Sequence, residues 1–199
     1  MAQEIELKLE TQPSIMRKVA ELPWLRELAK DPPKREKLVT VYFDTAKFKL
    51  HHRGLALLVR HSAKGRVQTI KVLRKATRGA FGRDEWEQQI ASDEPDLSLA
   101  KDTALEPLAT KSLRRKLKPV FETVVERTVL PVGIDGTNVE IALDRGYIKS
   151  GAHREPISEI EIELKDGDRT ALSRISRAPR RLDSDRLRRA IEAGARLCA

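Results

Sequence analysis

Charged and apolar side chains alternate along the first strand-like segment of the chain, and this alternation limits what the chain can fold into. Within Gln3–Leu9, Glu4, Glu6 and Lys8 occupy every second position, and aliphatic residues occupy the positions between them. A period of two indicates a β-strand with one charged face and one apolar face. The same alternation recurs later, so we predict a sheet with one charged side. The later charged faces are Arg83/Glu85/Glu87, Glu140/Asp144 and Glu159/Glu161/Glu163.

Such a sheet can be arranged in two ways. Its charged side can face solvent, which is the simpler interpretation of any one strand alone, or it can line the inside of a barrel whose apolar outside is covered by helices. Carboxylates that recur on one strand face repel one another unless a cation lies between them. Grouped carboxylates also supply the hard oxygen ligands that Mg²⁺ and Mn²⁺ prefer. These considerations favour the barrel with a metal ion inside.

Periodicity and turn residues predict one α+β domain over residues 1–199. One helical pattern begins after Thr11 and is broken or kinked at Pro23. A second helical pattern covers Asp96–Lys118. Two more helices are predicted near the C-terminus, over Arg169–Arg177 and Ser184–Leu197. Strands are predicted over Gln3–Leu9, Leu38–Asp44, Ala56–His61, Arg66–Leu73, Arg83–Ala91, Val120–Val132, Thr137–Asp144, Tyr147–Ser150 and Ile157–Lys165, with Asp135-Gly136 as a hairpin turn.

Net charge and aromatic content limit the classes of molecule that the chain is expected to bind. The formal charge of +9 favours polyanions, whether nucleic acid, an anionic membrane surface or phosphate-rich small molecules. Aromatic residues make up only 4% of the chain, too few to interleave with the basic runs at Lys111–Lys118 and Arg169–Arg196, so nucleic acid is the weaker alternative. No segment is typical of a signal peptide or a membrane span, and we expect a cytoplasmic protein without a membrane partner. The apolar exterior would allow a homodimer.

Taken together, the motifs resemble the CYTH, or triphosphate tunnel, family. Glu4-Ile5-Glu6-Leu7-Lys8 is similar to the family's ExExK signature on the first strand, and the opening wording is most similar to bacterial inorganic triphosphatases. The resemblance implies a closed eight-stranded antiparallel β-barrel with a charged interior and helices packed outside. The later matching pieces are Tyr42-Phe43-Asp44-Thr45, Gly54 through Arg60, Thr69-Ile70-Lys71, Arg83 through Glu87, Arg127, Glu140 with Asp144, and Glu159-Ile160-Glu161.

The resemblance also implies an activity and a division of roles. The activity is metal-dependent hydrolysis of a triphosphate, with inorganic tripolyphosphate favoured over a nucleoside triphosphate and with Mg²⁺ or Mn²⁺ as cofactor. Catalysis is expected to involve Glu4, Glu6 and Lys8. The expected substrate-binding cations are Lys8, Arg60, Lys71, Arg83 and Arg127; the expected metal ligands are Glu4, Glu6, Glu159 and Glu161; and the expected supporting carboxylates are Glu85, Glu87, Glu140 and Asp144.

Two departures from the family pattern keep other functions open. Leu58 stands where family members commonly have an arginine, and Ser184-Asp185 stands where a Ser-Lys pair is usual. Loss of a tunnel cation is compatible with a catalytically weak module that binds polyphosphate or nucleotides. A class IV adenylate cyclase, which makes cyclic AMP, is the alternative enzyme.

Overall fold

The strands of the computed structural model carry the alternation seen in the sequence. The structure describes residues 2–73, 81–134 and 136–167, and the two predicted C-terminal helices and the departure at Asp185 lie outside them. The strands are β1 Ala2–Glu10, β2 Lys34–Asp44, β3 Leu55–Ser62, β4 Gly65–Val72, β5 Phe81–Ile90, β6 Lys118–Ile134, β7 Thr137–Ser150 and β8 His153–Asp166.

These strands form a closed antiparallel barrel in the order β1-β5-β4-β3-β2-β6-β7-β8. The first strand completes the ring because it pairs with β5 on one side and with β8 on the other. Closure leaves no free sheet edge, and each strand turns one face inward and the other outward. The predicted eight-stranded antiparallel barrel is therefore confirmed.

Two short helices cover one part of the apolar exterior. Helix α1 spans Pro13–Ala20 and α2 spans Pro23–Leu28, with a proline in the first turn of each. Leu22 is extended, as a residue before proline tends to be, and this separates the helices at the predicted break. Their apolar residues pack on the outer faces of β6, β7 and β8; the buried members of this cluster are Met16, Val19, Leu25, Leu130, Val132, Val139, Ile141, Leu143, Ile160 and Ile162.

The prediction of a single helix over Asp96–Lys118 is wrong. The segment contains 3₁₀ turns at Leu97–Ala100 and Glu106–Leu108 and one short helix, α3, at Lys111–Arg114. Hydroxyl and carboxylate side chains bond the local backbone here and compete with a continuous helix: Thr103 Oγ1 donates to the Ala100 carbonyl at 2.6 Å, for example. Its leucines still face a second outer core, where Leu105 and Leu113 are buried among β2–β5 residues.

The structure also joins two predicted strands into one. Thr137–Asp144 and Tyr147–Ser150 belong to β7, because Gly146 continues the ladder between Val125 and Ile157 instead of turning. A Cβ at Gly146 would lie 1.9 Å from the Val124 carbonyl oxygen, so only glycine allows this close approach.

Among the described helices, none is long and apolar enough to cross a membrane.

Asp44 ties the loop after β2 to the barrel. The carboxylate is 5% exposed and accepts backbone hydrogen bonds from Thr45 at 2.6 Å, Leu50 at 2.9 Å and His51 at 3.0 Å. Although the residue lies in a family-like motif, these contacts give it a structural role as the anchor of the loop.

Replacing Asp44 by alanine should therefore destabilise the fold. The substitution leaves three amides without their acceptor, and we expect the free energy of unfolding to fall by about 3 kcal/mol. Urea unfolding followed by circular dichroism measures the change. Asp93→Ala, at a 68%-exposed carboxylate, is the control and should cost less than about 1 kcal/mol. Equal losses in the two variants would contradict the anchoring role.

Candidate active site

The inner faces of the strands enclose a cavity of about 1410 Å³. Its wall is dominated by charged side chains, as expected when the charged face of each strand turns inward. The predicted site residues that line it are Glu6, Lys8, Arg60, Lys71, Glu85, Glu87, Arg127, Glu140 and Glu161.

A group of three carboxylates includes one residue of the cavity wall, Glu161, and two residues beside it that are not part of the cavity lining, Asp144 and Glu159. One oxygen each from Asp144, Glu159 and Glu161 can be chosen so that all lie within 4.8 Å of one another. The pairing of β7 with β8 places Asp144 opposite Glu159, and Glu161 follows two residues later on the same face. We call these three residues the carboxylate group.

Two cations neutralise part of the charge of this group. The Arg127 guanidinium donates to both oxygens of Asp144, at 2.8 and 2.6 Å, and to Glu161 at 2.5 Å. Lys8 Nζ lies 2.6 Å from Glu159 and 3.1 Å from Glu161. With both cations charged, three negative charges face two positive ones.

Burial and pairing act in opposite directions on these groups. Burial alone would raise the pKa of Glu161, but Arg127 and Lys8 hold that pKa below its usual value. Burial opposes the charged form of Lys8, yet Glu161 and Glu159 raise the pKa of its ammonium. Burial raises the pKa of Asp144, and the paired Arg127 only partly offsets this effect. The group is a charged network held in a partly dehydrated site.

A second set of polar side chains lies on β3, β4 and β5. Lys71 Nζ is 2.9 Å from a Glu85 carboxylate oxygen, and both side chains are largely buried. Thr69 Oγ1 and Glu87 are hydrogen-bonded at 3.3 Å. The Arg60 Nε is buried and has no hydrogen-bond partner among the described residues, although its side chain lines the cavity. An orphaned guanidinium nitrogen in a cavity wall is suited to an anionic ligand.

Some predicted residues occupy different positions or are described only in part. Glu4 pairs in register with Arg83, but only the backbone of these two residues is described. Glu6 is 7% exposed and lines the cavity, yet it is not a member of the carboxylate group. Leu58 is fully buried, two residues before Arg60 on the inward-facing side of β3.

Sequence reasoning left several cavity-lining residues out of the site. Lys165 Nζ lies 2.7 Å from Glu163 and 3.7 Å from Glu140. The sequence did indicate Glu163 and Lys165, because they continue the alternation of charged residues that contains Glu159 and Glu161. Tyr42 also lines the cavity, and its ring stacks on Phe121 with centroids 4.2 Å apart.

The carboxylate group fits a hard divalent cation. Its members offer only oxygen ligands, which is the donor chemistry of Mg²⁺ and Mn²⁺. Two of them, Glu159 and Glu161, were among the predicted metal ligands, and Asp144 had been expected to support them. The Lys8 side chain is 40% exposed and has a flexible stem, so a bound metal ion can displace its ammonium from Glu159 and Glu161.

Comparison with known proteins identifies the class to which this barrel belongs. The model of the CYTH domain family matches residues 2–190, and the chain is a member of that family. An inorganic triphosphatase of Haemophilus influenzae is 31% identical over 169 residues, which is 84% of this chain and 47% of the relative. The chain therefore spans about half the length of the curated relative it matches.

Solved structures with little sequence identity share the fold. A candidate adenylyl cyclase from Hippeastrum with a dominant triphosphatase activity has a TM-score of 0.57 at 21% identity, covering 82% of this chain and 80% of its own. A candidate adenylate cyclase from Bacillus halodurans has a TM-score of 0.57 at 18% identity, covering 94% and 98%.

Arg127 should be indispensable to the stability of the metal-free barrel. Its removal leaves Asp144, which is 4% exposed, without its bidentate partner, and breaking a buried ion pair from one side costs about 3–5 kcal/mol. We expect a loss in that range for Arg127→Ala in urea unfolding with EDTA present. Arg154→Ala, at an exposed arginine stacked on Tyr147, provides the control. A change below about 0.5 kcal/mol at Arg127 would mean that the network does not stabilise the fold.

Proposed function

We propose that this protein is a metal-dependent triphosphatase that hydrolyses inorganic tripolyphosphate, with nucleoside triphosphates as weaker substrates. The observation that carries the proposal is the cavity wall, where cations suited to phosphate oxygens face carboxylates suited to a divalent metal. The inorganic triphosphatase of Haemophilus influenzae, at 31% identity, supports the same activity.

The cations of the wall would hold the substrate. Arg60 has a buried Nε that lacks a partner among the described residues, so binding a phosphate oxygen there satisfies a donor at no cost to another contact. Lys71, Arg127 and Lys8 line the same cavity but already contact carboxylates. We expect these three to turn part of their hydrogen-bonding capacity toward phosphate oxygens, and we expect Arg83 to join them.

The cofactor would be Mg²⁺ or Mn²⁺, held by Glu159 and Glu161 with Asp144, and with Glu4 and Glu6 as the further ligands predicted from the sequence. When bound, the metal supplies positive charge to phosphate oxygens and lowers the pKa of a coordinated water. With Arg127 and Lys8 charged, the carboxylate group keeps a residual negative charge, which would favour the binding of a cation.

The chain itself contributes positioning and charge. Hydrolysis forms a bond between a water oxygen and the terminal phosphorus, breaks the bond from that phosphorus to the bridging oxygen, and releases one proton of the water to the solvent. Negative charge then grows on the bridging oxygen, which leaves with pyrophosphate, and Arg60, Lys71 and Arg127 would stabilise this charge. Electrostatic stabilisation and alignment are sufficient for such a reaction, so the protein needs no covalent nucleophile.

Product analysis tests the proposal. Purified protein is incubated with tripolyphosphate or ATP in Mg²⁺, Mn²⁺ or EDTA, and the products are separated by anion-exchange chromatography. We expect metal-dependent release of orthophosphate, faster from tripolyphosphate than from ATP. Glu159→Gln/Glu161→Gln removes two charges of the carboxylate group and should reduce the rate by about 100-fold or more.

The controls separate this reaction from the alternatives. Glu155→Gln alters an exposed carboxylate on β8 and should leave the rate unchanged. Cyclic AMP with pyrophosphate as the products of ATP would assign the protein as a cyclase instead. A folded protein that binds tripolyphosphate with metal but releases no orthophosphate would be a binding module, and the proposed activity would be wrong.

A further inference from the structure

Exposed basic side chains gather on the outside of the barrel, where the proposed hydrolysis does not use them. They belong to two segments: the loop between β2 and β3, residues 45–54, and residues 111–118, which contain α3 and lead into β6. Neither segment contains an aspartate or a glutamate. We call their eight exposed lysines and arginines the basic surface. They are Lys47, Lys49, Arg53, Lys111, Arg114, Arg115, Lys116 and Lys118.

The two segments meet at one end of the barrel. Strand β2 lies between β3 and β6, and its last residue, Asp44, pairs with the first residue of β6, Lys118. Leu50 of the loop and Leu113 of α3 are buried in the same outer core. Because these leucines hold both segments on that core, the cations beside them stay at the surface. Positive charge from two distant parts of the sequence is therefore concentrated at one place.

Carboxylates do not neutralise this charge. Within residues 2–73, 81–134 and 136–167, none of the eight cations forms an ion pair with an aspartate or a glutamate. Arg114 has only a minor effect on Asp96, because hydrogen bonds from Ser98 are the main cause of the lowered pKa of that carboxyl. A concentrated positive charge without counterions attracts polyanions.

An exposed aromatic residue lies within the basic surface. Phe48 stands between Lys47 and Lys49, is 49% exposed, and has a left-handed backbone with φ of 50°. A bulky side chain is rare in this conformation, and little burial offsets the strain here. The amide of Phe48 donates to the Thr45 carbonyl at 2.9 Å, and the amide of His52 donates to the Phe48 carbonyl at 2.9 Å, so the turn is fixed. A strained, exposed ring between two lysines is suited to contact with a partner.

These features fit single-stranded nucleic acid better than a membrane. Cations that contact phosphates and a ring on which a base stacks are the elements of a single-strand site. Binding at a membrane interface depends on a broad apolar face, whereas the large apolar side chains exposed in the described part of the chain are Phe48 and Leu73. The basic run at Lys111–Lys118 contains no aromatic residue, but the fold supplies Phe48 from another segment.

We propose that the basic surface binds single-stranded nucleic acid, with phosphates on its lysines and arginines and one base stacked on Phe48. This binding is separate from the proposed hydrolysis, because the cations expected to hold a triphosphate line the cavity inside the barrel. It requires no divalent metal, since lysine and arginine contact phosphates directly.

Fluorescence anisotropy tests the proposal with a labelled oligothymidylate of about 12 nucleotides, within the range of known single-strand sites. The probe has a 5′-hydroxyl end, so it carries no triphosphate, and EDTA removes divalent metal. We expect binding that weakens steeply as KCl is raised from about 50 to about 200 mM. If about six cations contact phosphates, the slope of log affinity against log salt concentration is about −4.

Two triple variants with matched charge assign the binding to this surface. Arg114→Gln/Arg115→Gln/Lys116→Gln should weaken binding by about tenfold or more and make the salt slope shallower by about 2. The control, Arg17→Gln/Lys18→Gln/Arg26→Gln, removes three exposed charges from α1 and α2, which cover the other outer core, and should change the affinity by less than about twofold.

The loop is tested separately, which also covers a triple variant that does not fold. Lys47→Gln/Lys49→Gln should weaken binding and reduce the salt slope. Phe48→Leu removes the ring and should weaken binding by about fivefold or more, whereas Phe48→Tyr keeps the ring and should retain the affinity. Both Phe48 variants keep a side chain at the same strained position, so their backbone strain is matched.

Absence of oligonucleotide binding would overturn the proposal, as would binding that is lost in EDTA or equal losses in the two triple variants. An equal loss in Arg60→Ala would place the oligonucleotide in the cavity and contradict the proposal. Binding to phosphatidylglycerol vesicles without binding to the oligonucleotide would assign the surface to a membrane instead. The assay needs no turnover, so a protein that binds the oligonucleotide but releases no orthophosphate would disprove only the hydrolysis.

Discussion

The fold depends on pairing buried charges across the inside of the barrel. An ionised side chain removed from water costs several kcal/mol unless an opposite charge and hydrogen bonds replace the solvent. Arg127 meets this requirement for Asp144 and Glu161 at once, because its planar guanidinium presents several donors. Lys8 pairs in the same way with Glu159 and Glu161 from the neighbouring strand, β1. The three carboxylates and these two cations together keep one net negative charge, which favours the binding of a further cation.

Barrel closure brings these partners together. Strand β1 comes first in the chain and β8 comes last among the described strands, yet they pair, and Lys8 lies opposite Glu161 in the register. The outward faces of the same strands are aliphatic and bury themselves under α1 and α2. A single alternation thus specifies both the charged interior and the apolar exterior, and a shift of one residue in register would exchange the two.

Local pattern was sufficient to predict this part of the structure. The period of two located the strands and placed Glu159 and Glu161 on one face, and the family resemblance supplied the number of strands and the closed ring. Patterns of leucine over residues 96–118 predicted burial correctly but helix incorrectly, since Leu105 and Leu113 reach the core from short turns held by local hydrogen bonds. Periodicity reports which side chains are buried more reliably than it reports the backbone that buries them.

Contacts between distant strands could not be derived from the sequence in the same way. The bidentate pairing of Arg127 with Asp144 depends on the β6–β7 register, and nothing local distinguishes this arginine from its neighbours. The Nε of Arg60 has no hydrogen-bond partner among the described residues, and this depends on how the neighbouring strands are placed around it. The buried group formed by Leu38, Val125 and Ile157 was also missed, because only the strand register brings these residues of β2, β6 and β8 together.

The central claim is that the charged interior is built to bind a metal and a triphosphate together. The most direct test measures the thermal unfolding midpoint with EDTA, with Mg²⁺, with tripolyphosphate in EDTA, and with both ligands, because a ligand that binds only the folded state raises that midpoint. We predict that Mg²⁺ and tripolyphosphate together raise the midpoint by more than the sum of their separate effects, and that Arg60→Ala reduces this increase. Effects that are merely additive, or an equal increase with tripolyphosphate in EDTA, would contradict the account.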